Sequence, residues 1–212
     1  MVHPRRQPMH YEPRRPCAAV FITAAFFLSA ALVVKAAWIP LKAEAAQWLM
    51  ARSWQQIQAG HPQSRPWPWA DTRPAGVLSV PRLGIEQFVL EGNSGRNLAF
   101  GPVFTDGAAG AADRVISGHR DTHFRFLRDL RPGDRIRVQT PQADTEYEVV
   151  YLEVVDSRQR ELVLEPASAR LSLVTCFPFD APAAGGPLRY VVTARAVDEP
   201  GFRPGLPAVS SG

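Results

Sequence analysis

The sequence predicts a mostly β domain from about residue 72 onward, closed into a barrel or sandwich of seven or eight short strands. Three observations lead there. Short runs rich in valine, isoleucine, leucine and aromatics recur between turn residues along that stretch. Twenty prolines and fifteen glycines demand many turns and short elements rather than a helical bundle. Apolar residues make up 46% of the chain and charged residues 21%, enough to bury a core and too apolar for a disordered chain.

The first element is N-terminal. Residues 1–16 carry Arg5, Arg6, Arg14 and Arg15 against Glu12, and read as a basic cytoplasmic tail. Residues 17–34 then run 18 positions without a charge, and Ala36, Ala37, Trp38 and Ile39 extend the run. At about 1.5 Å per residue, a helix over 17–39 is long enough for a hydrocarbon core. The arginines before it predict a cytoplasmic N-terminus and an outward C-terminal side. The run exceeds a usual signal core, so an uncleaved anchor is expected rather than a signal peptide cut near Val34-Lys35-Ala36. Residues 40–71 read as a juxtamembrane stalk rich in tryptophan and proline. Leu41, Ala45, Trp48, Leu49 and Ile57 can share part of a helical face. Its tryptophans either lie at a bilayer surface or pack on the following domain, and both readings stay open. The prolines of 61–69 break any regular element and place the domain boundary there.

The predicted strands follow in order: 76–80 and 85–90 around a Pro81–Gly84 turn, 114–117, 135–140, 145–155, 170–175 and 188–197. Phe124, Leu127 and Leu130 keep helical spacing before the Pro132-Gly133-Asp134 turn. The tail 200–212 is expected to fray. Residues 72–212 hold 16 arginines against 17 acids, so the excess positive charge behind the formal net charge of +4 lies before residue 72, most of it in the N-terminal tail. Nucleic acid is therefore not an expected partner.

Candidate chemistry collects in three places. Ser117-Gly118-His119-Arg120-Asp121-Thr122-His123-Phe124 follows a strand. Ser172-Leu173-Val174-Thr175-Cys176 ends in the one cysteine of the β domain. Pro187-Leu188-Arg189 opens the last strand. A thiolate needs a proton acceptor or a positive neighbour, which a histidine provides near working pH. An arginine does not titrate there and serves to hold a developing oxyanion. Each residue has a plain alternative: a buried apolar cysteine, a strand-end histidine, a surface charge. Two cysteines exclude a disulfide scaffold. His119 and His123 are four apart, but the helical zinc motif needs a glutamate where Arg120 stands, so no metal is expected. Neither a glycine-rich phosphate loop nor a convincing carboxylate cluster is present, and no cofactor is expected. Asp121 and His123 read as turn, cap or packing residues.

Taken together, Ser172–Cys176 resembles the Thr-Leu-x-Thr-Cys signature of the sortase family, with serine for the first threonine. Gly118-His119 resembles the sortase histidine segment, and Arg189, thirteen residues past the cysteine, stands where the sortase arginine does. Gly-His-Arg-Asp-Thr-His-Phe and Thr-Cys-Phe-Pro-Phe-Asp look most like the class GN sortases of proteobacteria. The resemblance covers residues 72–198 and implies a sortase-like closed barrel over 72–199. It implies a cysteine transpeptidase acting through a thioacyl intermediate on a secreted client bearing a C-terminal LPxTG-like signal, with an unspecified amine as acceptor.

In that reading Cys176 is the nucleophile, His119 the general acid and base, and Arg189 the oxyanion or backbone ligand. Thr175, Phe177 and Ser117 contribute to substrate binding, and the loop 177–186 lines the groove. The enzyme is expected in the inner membrane, single-pass, with its catalytic domain on the periplasmic or extracytoplasmic side. A hydrolytic cysteine peptidase of the same fold and an anchored binding module with a structural cysteine are the alternatives. An L,D-transpeptidase is disfavoured, because Leu-Val-Thr-Cys replaces its Ser-x-Gly-Cys.

Overall fold

Eight strands close into one barrel in the computed structural model, which describes residues 16–92, 94–105, 113–159, 169–181 and 185–198. They are β1 (Pro74–Val80), β2 (Ile85–Leu90), β3 (Val103–Phe104), β4 (Arg114–Ser117), β5 (Arg135–Gln139), β6 (Asp144–Asp156), β7 (Arg170–Cys176) and β8 (Leu188–Ala196). Around the barrel the order is β1-β2-β3-β4-β7-β8-β6-β5, and β5 returns to β1. The β2–β3 and β4–β7 pairs are parallel and the rest antiparallel. Seven of these strands overlap the seven predicted runs. The two-residue β3 is too short to show a sequence period.

Alternation fills the barrel. Leu78, Val80, Ile116, Ile136, Val138, Leu171, Leu173, Val192 and Ala194 are buried in one cluster with Phe104, Phe124, Leu127 and Tyr147. On β1 the burial alternates strictly over seven residues, as a strand with one face in the core requires. Pro81–Leu83 forms a single 3-10 turn, closed by Gly84 at a φ of 63°, where a side chain would be strained. The helical spacing at Phe124, Leu127 and Leu130 is realised as a 3-10 helix, Arg125–Asp129, that seats Phe124 and Leu127 in the core.

The chain divides into two compact units between Ala45 and Ala46. One helix, α1 (Pro16–Gln58), contributes to both. The helix runs past residue 39 through the positions Leu41 to Ile57 that were expected to share a helical face. Its later turns repeat apolar positions at helical spacing, and Met50, Trp54 and Ile57 are buried. Met50 joins Leu90 and Val103 in a second small cluster. The described residues from Ala46 onward therefore belong to the same compact unit as the barrel. The tryptophans split between the two readings: Trp54 is buried and Trp67 packs edge-on to Phe100, whereas Trp48 and Trp69 are exposed.

Among the described residues no helix is long and apolar enough to cross a membrane, so the expected transmembrane helix over 17–39 gains no support here. In the first unit Val20, Phe21, Ile22, Phe26, Phe27 and Leu32 are nonetheless exposed. The basic tail up to residue 15, the tail beyond residue 198 and residues 182–184 of the expected groove loop lie outside the described residues.

Candidate active site

Strand order decides which candidates meet. β7 lies between β4 and β8. In the antiparallel β7–β8 ladder Cys176 stands directly opposite Arg189, and Thr175 opposite Tyr190. Leu171, Leu173, Val192 and Ala194 point into the core. By strand alternation Thr175 and Tyr190 share that inner face, while Cys176 and Arg189 face outward together. On the other side, β4 pairs with β7 in parallel register, Ile116 with Leu173 and Ser117 with Val174. The Gly118 N–H donates to the Val174 carbonyl at 3.2 Å and carries the ladder one residue further. The Gly118-His119 segment thus leaves β4 beside the Thr175–Cys176 end of β7. The sulfur is thus flanked by the imidazole segment on one edge and the guanidinium strand on the other, at one rim of the barrel.

Burial fits those roles. Cys176 is half-buried with a free thiol, His119 is exposed, and Arg189 is half-buried. One Arg189 nitrogen donates to the carbonyls of Gly186 at 2.7 Å and Leu188 at 2.9 Å. No carboxylate pairs with Arg189 among the described residues, so its charge and remaining donors stay open to a ligand.

The turn bearing His119 is held from several sides. Its carbonyl accepts from the Phe124 N–H at 2.9 Å, and Phe124 is fully buried. The Phe124 ring lies against Gly118 so closely that a Cβ there would come within 2.7 Å of it. The His123 carbonyl accepts from the Gln87 side chain at 2.9 Å. Thr175 is buried, and its hydroxyl donates to the Gly118 carbonyl at 2.8 Å. Thr175 therefore ties the His119 segment to the cysteine strand from within the barrel, rather than facing the rim where a substrate would lie. Thr175→Val is expected to strand that carbonyl and cost about 1–3 kcal/mol in denaturant unfolding, with Thr175→Ser, which keeps the hydroxyl, recovering most of the loss.

Ser117 exchanges a hydrogen bond with Thr105 at 2.8 Å, so its hydroxyl is already engaged. Phe177 stacks on Tyr190 and meets Phe179 edge-on, and Phe179 meets Tyr190 in turn. These three half-exposed rings cluster where β7 and β8 meet, with Phe179 and Tyr190 packed against the core.

His123 is a latch. Burial pushes its imidazole below the ordinary histidine range, opposed by its hydrogen bond to the Ala99 backbone, while the nearby His119 lowers it further. A histidine that titrates lower folded than unfolded stabilises fully above about pH 6.5 and loses that contribution as pH falls through its folded value. His123→Gln is expected to flatten the fall of melting temperature on that acid limb, read by thermal unfolding across pH 4.5–8 (~ range bracketing the histidine value).

Arg120 is the residue whose role the sequence did not reveal. It is 4% exposed. Its guanidinium forks the Asp121 carboxylate at 2.8 and 3.0 Å and donates to the carbonyls of Pro178 at 2.6 Å and Ala181 at 3.0 Å. Asp121 is thus an ion-pair partner, held below the usual carboxylate range first by that hydrogen bond, and gives the 3-10 helix no side-chain cap. The adjacent opposite charges of Arg120 and Asp121 were visible in the chain. The two carbonyl partners lie 58 and 61 positions away and were not. No group of three histidine, cysteine or acidic residues suited to a metal occurs among the described residues.

A closed barrel that sets one half-buried thiol opposite a guanidinium with no carboxylate partner among the described residues is a candidate site for cysteine-centred acyl transfer. The family model of the sortase domain matches residues 78–197. The chain belongs to the sortase family. Sortase D of Bacillus subtilis (strain 168) is 29% identical over 127 residues, covering 58% of this chain and 64% of that protein. Sortase SrtE1 of Streptomyces coelicolor is 25% identical over 186 residues, covering 77% of this chain and 53% of that protein. This chain therefore spans less than two thirds of either relative. Among solved structures, sortase A from Corynebacterium diphtheriae aligns with a TM-score of 0.53 at 25% identity, covering 70% of each chain. The sortase A of Listeria monocytogenes, at 23% identity and a TM-score of 0.50, covers 58% of this chain and 86% of its own, and shares the fold.

Proposed function

We propose that this chain is a membrane-anchored cysteine transpeptidase that cleaves an LPxTG-like sorting signal and transfers the client protein to an amine. What supports the reading is that Cys176 stands opposite Arg189 across β7 and β8, while β4, which leads into Gly118-His119, pairs with β7 on its other side. The Cys176 Sγ attacks the threonine carbonyl of the signal as its proton passes to His119, and Arg189 donates to the oxyanion that forms. The C–N bond to glycine breaks as His119 gives the leaving amine its proton. The thioester left on Cys176 is attacked by the incoming amine, which loses its proton to His119. Sulfur then departs, and an amide bond replaces the thioester.

Arg189, rather than Arg120, suits the oxyanion role, because every Arg120 nitrogen is already engaged and Arg189 has no anionic partner among the described residues. The Phe177, Phe179 and Tyr190 rings offer an apolar wall for the signal's leucine or proline. The class GN assignment rests on the sequence strings around His119 and Cys176 alone.

Anchoring is part of the same proposal. The uncharged run 17–34 and its exposed apolar side chains call for an apolar environment, and the preceding arginines favour a cytoplasmic N-terminus. Tethering the catalytic unit on the outer side of the inner membrane raises its effective concentration beside emerging clients.

Mass spectrometry of the chain mixed with an LPxTG peptide tests the reaction. An acyl adduct on Cys176 that is discharged to a new amide by added amine is the expected result. Discharge to acid alone, whatever amine is added, means hydrolysis. An unmodified thiol across a panel of related peptides removes the reading.

A further inference from the structure

We propose that Arg120 is a positioning residue for the Cys176–His119 pair, clamping the loop that follows the nucleophile onto the turn that carries the base. The inference deepens the transpeptidase reading and rests on it for the catalytic consequence. Its structural part stands on the hydrogen bonds alone.

β7 ends at Cys176, and its ladder with β8 continues one step further, where the Phe177 N–H donates to the Leu188 carbonyl at 3.1 Å. Beyond that, residues 178–181 have no strand partner. Phe179 packs against Phe177, Tyr190 and the core, and the carbonyls of Pro178 and Ala181 on either side of it both accept from Arg120. Arg120 is covalently next to His119. One guanidinium therefore spans from the residue after the imidazole to the segment after the sulfur.

The fork is itself held. Asp121 takes two of its N–H groups in bidentate fashion, while the Asp121 side chain stays 61% exposed. The Arg120 charge is almost wholly withdrawn from water, so these four bonds are its replacement for hydration. Cys176 and Asp180 are both close enough to interact electrostatically with this charge, which fits a clamp beside the sulfur.

Lysine cannot reproduce the arrangement. An ammonium is a point charge, whereas the clamp needs a planar fork reaching one carboxylate and two carbonyls at once. A loop released by a fraction of an ångström to an ångström misaligns sulfur and imidazole, and such misplacement costs on the order of 100-fold in rate.

The test compares the 212-residue chain with Arg120→Lys and Arg120→Gln by amide hydrogen exchange and by steady-state transfer to an LPxTG peptide. Expected in both variants is exchange at least about tenfold faster at 177–181, with β1, β5 and β6 unchanged. Also expected is a fall of about 30-fold or more in kcat with KM moved less than about threefold. Asp121→Ala, which keeps Arg120 and removes an exposed partner, should show the same pattern at reduced size, and serves if the Arg120 variants fail to fold. Unchanged exchange at 177–181 overturns the clamp. So does acceleration spread evenly over the barrel, which marks a general stability role, or full recovery of kcat by lysine, which marks a role for charge alone. A wild-type Cys176 that never acylates defeats the transfer reading separately, because the exchange result decides the clamp without substrate.

Discussion

Cys176→Ala is expected to reduce transfer to background, a loss of about 10⁴-fold or more, while leaving the barrel as stable as before to within about 1 kcal/mol. The two halves of this expectation have separate causes. Without sulfur there is no group at the rim that can carry the acyl chain, since Thr175, the neighbouring hydroxyl, is buried and committed to Gly118. The stability half follows from the outward, half-buried position of the side chain, whose removal empties no core space. Peptide turnover and denaturant unfolding on the same preparation check both. A cysteine that served only as a structural apolar residue gives the reverse result: destabilisation with function kept.

Gly118→Ala should produce the largest effect of any substitution that touches no reacting group. The new methyl would lie 2.7 Å from Cγ and 2.9 Å from Cδ1 and Cδ2 of Phe124. This is the body of a ring at 0% exposure, packed edge-on to Phe126, not a flexible tip that can turn aside. Either the ring is driven into the core or the Gly118-His119 backbone is pushed off β7. The first route costs about 1–3 kcal/mol by overpacking. The second breaks the Gly118 bonds to Val174 and Thr175 and moves the imidazole, for a loss on the order of 100-fold in kcat/KM. Adding Phe124→Leu should restore part of both losses, and the double-mutant cycle should show a coupling of about 1 kcal/mol or more. Simple additivity of the two substitutions would mean that the contact between ring and glycine does not place His119.

The two substitutions probe different layers of one site, and the layers differ in how well the chain announced them. The signature ending in Cys176, the Gly118-His119 pair and Arg189 are short local strings, legible because chemistry restricts which residue types can serve. Strand runs such as Leu171–Thr175 were legible because a barrel wall imposes a period of two. β3 was not, since Val103 and Phe104 pair with two different neighbours over too short a length to show a period. The tertiary level also reassigned Thr175 and Asp121. Thr175 shares the inward face of Leu171 and Leu173, which converts a candidate substrate ligand into an internal strut. Asp121 serves Arg120 rather than a helix start.

By itself the sequence determined the class: a β-barrel with one thiol, one imidazole and one guanidinium in the order that the sortases share. It also determined an uncharged N-terminal run too long for an ordinary signal core. Only the tertiary structure decided that β7 lies between β4 and β8, and hence that Cys176 is opposite Arg189 while the strand leading into Gly118-His119 lies on its other side. It alone decided that Arg120 is buried and fully engaged while Arg189 has no anionic partner among the described residues. The physical reason is that residue type and periodicity are written locally, whereas a strand's neighbours, and the carbonyls a buried charge must find, are set by contacts between segments more than fifty residues apart.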